Sequence, residues 1–331
     1  MNVVITGGAG FLGGLLAQTI LEQGELSLSG CQAEPVTRVT LLDRVSLAAE
    51  DLADRRLRSV AVDLSDLGPE QLAELPDVAG ADVVFHLAAA VSAECEADFD
   101  LGVRVNLDAG RVLLEAVRRT GRRPVFVFAS SLAVYGGWPD QPLPPVVTDA
   151  TLPTPRSSYG IQKFIMEQLV ADYTRKGFVA GRTVRLMTVV VRPGRPNAAA
   201  SGFLSSIIRE PLAGEVAFCP VPPELEVALS SPESAIAGLL RAGAAAEADW
   251  GAPVAVNLPA VQTTVGGMVA ALAAVAGEAA TKLIRWEPDK QVAAVVGSWP
   301  ARFDSARARR LGLSADPDFA TIVRRYQRQY G

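Results

Sequence analysis

Residues 2–24 read NVVITGGAGFLGGLLAQTILEQG, and the reading of this stretch decides the fold. A short apolar run ends in glycines and passes straight into a helical pattern, which makes a strand, a tight loop and a helix. Gly7, Gly10 and Gly13, with Phe11 and Leu12 between them, sit at the joint. Glycine lets the backbone approach a pyrophosphate closely, and a helix N-terminus offers unpaired N–H groups and a partial positive charge. A lone glycine pattern is weak evidence. This one follows a strand and opens a helix at the very start of the chain, the context a dinucleotide site requires.

The same rhythm continues outward. Apolar runs at 38–43 (RVTLLD), 58–64 (RSVAVDL), 81–90 (ADVVFHLAAA), 124–131 (PVFVFASS) and 182–193 (RTVRLMTVVVRP) are separated by helical patterns, notably 103–121 and 157–173. Strands that are apolar throughout, with helices between them, predict a parallel sheet covered on both faces. The fold class is therefore α/β, a doubly wound Rossmann-type parallel sheet with a smaller C-terminal substrate-binding region. Residues 1–190 are read as the dinucleotide-binding domain and 191–331 mostly as a substrate-binding cap, with a strand near 253–257 returning to the sheet. After Pro193 the chain turns rich in Pro, Gly and Ala, and helices are expected at 264–277 and 317–330.

Composition narrows the classes. A chain of 331 residues that is 49% hydrophobic can bury a large core, and its net charge of −5 offers no bulk field for nucleic acid. No apolar run is long enough to span a membrane and no secretory leader precedes NVVIT, so a cytoplasmic protein is expected. Cys31, Cys95 and Cys219 are scattered, and His86 is the single histidine. Neither a disulfide framework nor a metal site is expected. His86 itself is read as a packed strand residue, since no acid and nucleophile accompany it.

Asp43 closes the second strand, where an acid binds the adenosine ribose hydroxyls and repels a 2′-phosphate. That points to NAD, although Asp43 comes later than usual and Arg44 beside it could hold a phosphate. An insertion across 27–37 explains the spacing. Asp63 and Leu64 are placed to cap an adenine, and Leu87, Ala88 and Ala89 end the fourth strand with room for a cofactor against the backbone.

Tyr159 and Lys163 lie four apart in SSYGIQKFIMEQLVADY (157–173) and share one helix face. With five tyrosines and four lysines in the chain, a chance Tyr-x-x-x-Lys is expected only roughly 0.06 times. A tyrosine needs stabilising cations before it is a base at neutral pH, and Lys163 is expected to lower the phenol's pKa together with a nicotinamide cation. Ser130 and Ser131 close the fifth strand at the carboxyl edge of the sheet, where open α/β folds bind their ligands. A serine hydroxyl there can hold the substrate oxygen while Tyr159 takes its proton.

Together the glycine loop, the SSLAVYG string at 130–136 and the Tyr159/Lys163 pair resemble the extended short-chain dehydrogenase/reductase family, which includes NAD-dependent epimerases and dehydratases. The family pattern selects Ser131 as catalytic with Tyr159 and Lys163, leaves Ser130 supporting, and matches Asn106 to a helix asparagine near the cofactor. The strings at 88–110, 171–186, 189–215, 218–221 and 296–304 narrow the resemblance to members that oxidise a four-carbon sugar acid at C2. One departure is Met187, where the pattern has proline. The resemblance also implies a homodimer formed through the helices at 103–119 and 157–173.

An acidic substrate suits the residues themselves: Arg192, Arg195 or Arg209 could pair a carboxylate bidentately. Ser92, Ser131, Tyr159, Arg192 and Asn197 are the substrate-binding candidates, and no role falls to Glu94, Glu96 or Asp98. Two other readings compete. A nucleotide-sugar epimerase or dehydratase shares the Ser/Tyr/Lys core, and a non-catalytic NAD sensor would need only the cofactor site.

Overall fold

The computed structural model describes residues 1–47, 54–194 and 199–331. The strands that matter here are β1 (Asn2–Thr6), β2 (Arg38–Asp43), β3 (Leu57–Ala61), β4 (Val83–His86), β5 (Val125–Ser131), β6 (Ala180–Leu186), β7 (Thr188–Val189), β8 (Glu226–Ser230), β9 (Val256–Asn257) and β10 (Val261–Thr264). The helices that matter here are α1 (Phe11–Gln23), α2 (Ser92–Ala97), α3 (Ala109–Arg119), α4 (Ser158–Arg175), α5 (Phe203–Leu212), α6 (Pro232–Ala244), α7 (Val265–Ala276) and α8 (Phe319–Tyr330).

Seven strands form one sheet in the order β9-β6-β5-β4-β1-β2-β3, and every neighbouring pair is parallel. Alternation along each strand sorts the side chains into two apolar layers. Val3, Ile5, Val83, Phe85, Val125 and Val127 face α1 and α6. Val4, Val84, Phe126 and Phe128 face α3 and α4, meeting Leu113, Met166 and Val170. With both faces covered, each strand must be apolar at nearly every position, which is the pattern the sequence carries.

The strand order reverses between β1 and β4, opening a crevice at the carboxyl ends of the strands. Between α1 and β2 the chain makes an extra antiparallel pair, Glu25–Leu26 with Glu34–Pro35. That insertion delays Asp43 along the chain without moving it from the end of β2.

The second half is less separate than its composition suggests. Val256–Asn257 lies at the sheet edge beside β6, and α6 returns to cover one face through Ile236, Leu239 and Ala242. The return of α6 is not visible in the sequence, because its apolar stripe would suit either core. A second core gathers Val190, Leu204, Ile207, Leu229, Met268, Leu272, Ile322 and Val323 from α5, α7, α8 and the small sheet β7-β8-β10. Among the described residues no helix is long and apolar enough to cross a membrane.

Candidate active site

The cleft begins where β1 turns into α1. Gly10 is the N-cap of α1, no side chain caps it, and no acidic residue occupies the first turn. The helix thus presents its first N–H groups toward the crevice. Gly13 has to be glycine, because a Cβ there would stand 2.2 Å from the Gly7 carbonyl oxygen.

Two lobes meet at this loop, sharing Gly7, Gly10, Leu87 and Ala89 as walls. One lobe runs to Asp43, Arg44, Asp63, Leu64 and Ala88. The other, lined also by Phe11, Leu12 and Gly13, runs to Ser131, Tyr159 and Lys163. An elongated cleft with an acid at one end, uncapped helical N–H groups in the middle and a Tyr/Lys pair at the other fits a dinucleotide lying across the switch point.

In the first lobe the Asp43 carboxylate accepts from Ala9 N at 3.1 Å and from Val45 N at 3.4 Å, which ties the end of β2 to the glycine loop. Asp63 accepts the Ser65 amide at 2.9 Å and its hydroxyl at 2.5 Å. Partial burial raises its pKa, but those hydrogen bonds and the charges of Arg44 and Arg104 prevail and hold it below the usual carboxylate range.

The second lobe is built by the start of α4 meeting the end of β5. Ser157 caps the helix, its hydroxyl accepting from Gly160 N at 3.1 Å. Gly160 permits the meeting, since a Cβ there would lie 2.1 Å from the Ala133 carbonyl oxygen. Tyr159 is thereby brought beside Ser131. Burial pushes the Tyr159 phenol up to about 12, opposed by the Ser131 hydroxyl and then by the Arg192 charge.

That outcome differs from the lowering expected of Lys163. The Lys163 ammonium donates to the Ala129 carbonyl at 2.9 Å and sits 5.6 Å from the Tyr159 ring centroid. It is buried, which pushes it down to about 8 against the pull of Cys95 and Glu167. In the protein alone, desolvation therefore decides the direction of the phenol's shift.

The other sequence-predicted residues divide. Ser130 lines the same lobe as Ser131, but its hydroxyl is engaged, donating to Glu167 Oε1 at 2.5 Å. Asn106 lies in a π-helical stretch, Val103–Asp108, before α3 and does not line either lobe. Its amide accepts from Ala90 N at 2.8 Å and donates to Ala90 O at 3.1 Å and Gln162 Oε1 at 2.8 Å. It thus holds the Leu87–Ala90 turn that walls the cleft. Ser92 lines the second lobe and accepts from Ala200 N at 3.1 Å. His86 is buried in β4 with Nδ1 2.7 Å from Thr6 Oγ1 and its ring stacked on Phe128, so it packs away from the chemistry.

Arg192 lines the second lobe. Its Nε donates to Val189 O at 3.0 Å, and among the described residues it has no carboxylate partner. Arg209 is engaged instead with Glu210 at 2.6 Å and the Arg192 carbonyl at 2.7 Å. Arg195 and Asn197 lie outside the described residues.

Met187 does border this lobe, and Thr188, Ser201 and Trp299 join it. Sequence reasoning missed these three because they come from separate segments with no shared period. It also assigned nothing to Glu94, Glu96 and Asp98. Glu94 accepts from Val91 N at 2.9 Å, Glu96 from Ser158 N at 2.7 Å and Asp98 from Leu101 N at 2.9 Å. The spacing of Glu94 and Asp98 around the helix starts was the available signal. The contact of Glu96 with α4 is long-range and left none.

Comparison with known proteins agrees with this geometry. The description "NAD dependent epimerase/dehydratase family" matches residues 3–228. The chain is 50% identical over 331 residues to D-erythronate dehydrogenase of Cupriavidus necator, covering 100% of this chain and 99% of that one. It is 41% identical over 326 residues to D-erythronate dehydrogenase of Haemophilus influenzae, covering 98% of each. Among solved structures it resembles a nucleoside-diphosphate-sugar epimerase from Agrobacterium tumefaciens, with a TM-score of 0.90 and 40% identity over 100% of this chain and 94% of that one.

Proposed function

The chain belongs to the NAD-dependent epimerase/dehydratase family and is an NAD-dependent dehydrogenase, and from that premise we propose that it oxidises D-erythronate at C2 to the 2-oxo acid. The observation that carries the substrate class is Arg192, a half-buried guanidinium in the catalytic lobe with no carboxylate beside it among the described residues. A partly desolvated cation with no counter-charge is costly, and a substrate carboxylate is the ligand that relieves it, in the forked geometry arginine favours.

With the carboxylate on Arg192, the C2 hydroxyl falls between Ser131 and Tyr159. The Ser131 hydroxyl orients the substrate oxygen, and Tyr159 accepts its proton as general base. Bound NAD supplies the hydride acceptor, held by the uncapped start of α1 and by Asp43. Lys163 contributes a fixed positive charge beside the phenol and a donor for the cofactor's ribose. Asn106 acts through Ala90, and Ser92 and Trp299 shape the lobe around a small substrate. Residues 1–190 form the cofactor half and 191–331 chiefly the cap.

A second reading, a nucleotide-sugar epimerase, is favoured by the description of the 40% identical Agrobacterium structure. The deciding experiment mixes purified protein with NAD and D-erythronate, its stereoisomers and nucleotide sugars. Net NADH formation with D-erythronate is expected. Interconversion of a nucleotide sugar with no net NADH would replace the proposal.

We also infer a cytoplasmic homodimer. Its three cysteines are free. Ile161 and Ile165 on α4 are 46% and 39% exposed, and Phe99, near the start of the π-helical stretch, is 64% exposed. These suit an apolar patch closed by a second copy. Sedimentation of Ile165→Glu against wild type tests it, with a monomer expected for the variant.

A further inference from the structure

Beneath the catalytic edge lies a buried polar row that the mechanism does not use. Ser130 on β5 is in register with Arg185 on β6, which is in register with Asn257 on β9. All three are buried. On the α4 side of β5 the apolar series Phe126, Phe128 ends in Ser130, so the polar row begins where the apolar layer stops.

Glu167 reaches into this row from α4. It lies one helical turn beyond Lys163 and two beyond Tyr159, on the same inward face, and is itself buried. Its carboxylate accepts from Ser130 at 2.5 Å and from Arg185 through Nε at 2.9 Å and a terminal nitrogen at 2.6 Å. Arg185 also donates to the Tyr135 hydroxyl, which donates to Asn257 Oδ1 at 3.1 Å. The same helix is fastened a turn earlier by Lys163 on Ala129 O. Three consecutive β5 residues are thus bound to consecutive turns of α4: Ala129 by Lys163, Ser130 by Glu167, and Ser131 faces Tyr159.

We propose that Glu167 is a positioning residue for the reaction: gripped between Ser130 and Arg185, it fixes the rotation and depth of α4 against β5, and so the placement of Tyr159 and Lys163 beside Ser131. A forked arginine–carboxylate pair has little angular freedom, and apolar packing of Met166 and Val170 alone would tolerate small helix slides. A general base must stand within hydrogen-bond reach of its proton, so a slide of about 1 Å would matter. The titratable groups around Lys163 are Glu167 and Tyr159 on its own helix, Cys95 on α2 and His86 on β4. Glu167 is the carboxylate among them, and after Cys95 it opposes the lowering that burial imposes on the ammonium.

The kinetic part of the test rests on the dehydrogenase reading, so the first readout does not use substrate. Lysine labelled at its ε-carbon is titrated by NMR in wild type, Glu167→Gln and Ser130→Ala; the chain has only four lysines. Lys163, near pH 8 in wild type, is expected to titrate at lower pH in Glu167→Gln and unchanged in Ser130→Ala. In the second readout both variants are expected to lower kcat about tenfold or more with KM and NAD affinity within about twofold, and the double variant to lose less than the product of the singles. Ser130→Ala, a small deletion, serves if Glu167→Gln does not fold. A Lys163 titration that ignores Glu167→Gln, or folded variants with kcat within about twofold of wild type, would overturn the inference. A wild type with no turnover of D-erythronate would sink the substrate reading and leave the titration still decisive.

Discussion

Arg192 and Tyr159 line the same lobe, and the Arg192 charge opposes the rise that burial imposes on the phenol. Lys163 shares a helix face with Tyr159 but directs its ammonium to Ala129 O. Arg192 comes from the segment after β7, and each group shifts the other's titration. In the proposed mechanism one residue thus serves both substrate and base.

Replacing Arg192 by methionine should raise KM for D-erythronate by about 10- to 100-fold, the loss of a charge-assisted forked pair. With a neighbouring cation gone the phenol becomes harder to ionise, so the alkaline rise of kcat should move to higher pH. Arg192→Lys should restore less than half of the lost binding energy, because an ammonium lacks the fork. Steady-state kinetics across pH reads both effects. A KM that stays within about twofold in Arg192→Met would remove Arg192 from the carboxylate site.

Tyr159→Phe should lower kcat by about 10²- to 10⁴-fold while leaving NAD affinity nearly unchanged, since in the proposed mechanism the hydroxyl takes the substrate proton and the ring remains. NADH formation and calorimetric NAD binding, measured in parallel, separate the two. Residual activity near wild type would assign the base elsewhere.

At the far end of the cleft, Asp43→Asn should weaken NAD and strengthen NADP, shifting the ratio of their dissociation constants by about tenfold or more. The carboxylate repels a 2′-phosphate, and Arg44 lines the same lobe. Fluorescence titration with both reduced cofactors checks this; an unchanged ratio would show that Asp43 does not face the ribose.

Stability should fall in mild acid because of one residue. Burial, and then the charge of Lys163, push His86 down to about 3 from its ordinary 6.5. The unfolded chain therefore takes up this proton first, so the contribution is complete above pH 6.5 and is lost progressively as pH falls toward 3, at up to about 1.4 kcal/mol per pH unit. Glu115, held down to about 2 chiefly by its hydrogen bond to Arg118, adds its own loss only below its ordinary 4.5. Between pH 6.5 and 4.5 the decline belongs mainly to His86. Thermal melts of wild type should slope downward across that window, and those of His86→Asn should be flatter. Parallel slopes would contradict the assignment.

The sheet, the glycine loop and the Ser131/Tyr159/Lys163 set were legible in the chain because each rests on local pattern. A strand buried on both faces must be apolar at every step, a loop under a pyrophosphate must be glycine, and a base with its lysine must share a helix face. What the sequence could not carry were relationships between residues far apart along it. The grip of Glu167 on Ser130, the engagement of Arg209 by Glu210 while Arg192 stays without a carboxylate, the return of α6 to the sheet, and the arrival of Trp299 in the cleft all depend on which segments pack together. Even the phenol's titration is a tertiary property. Four residues of spacing put Lys163 near Tyr159, but desolvation by the whole fold decided that the phenol would rise, because the free energy of a charge is set by everything that surrounds it.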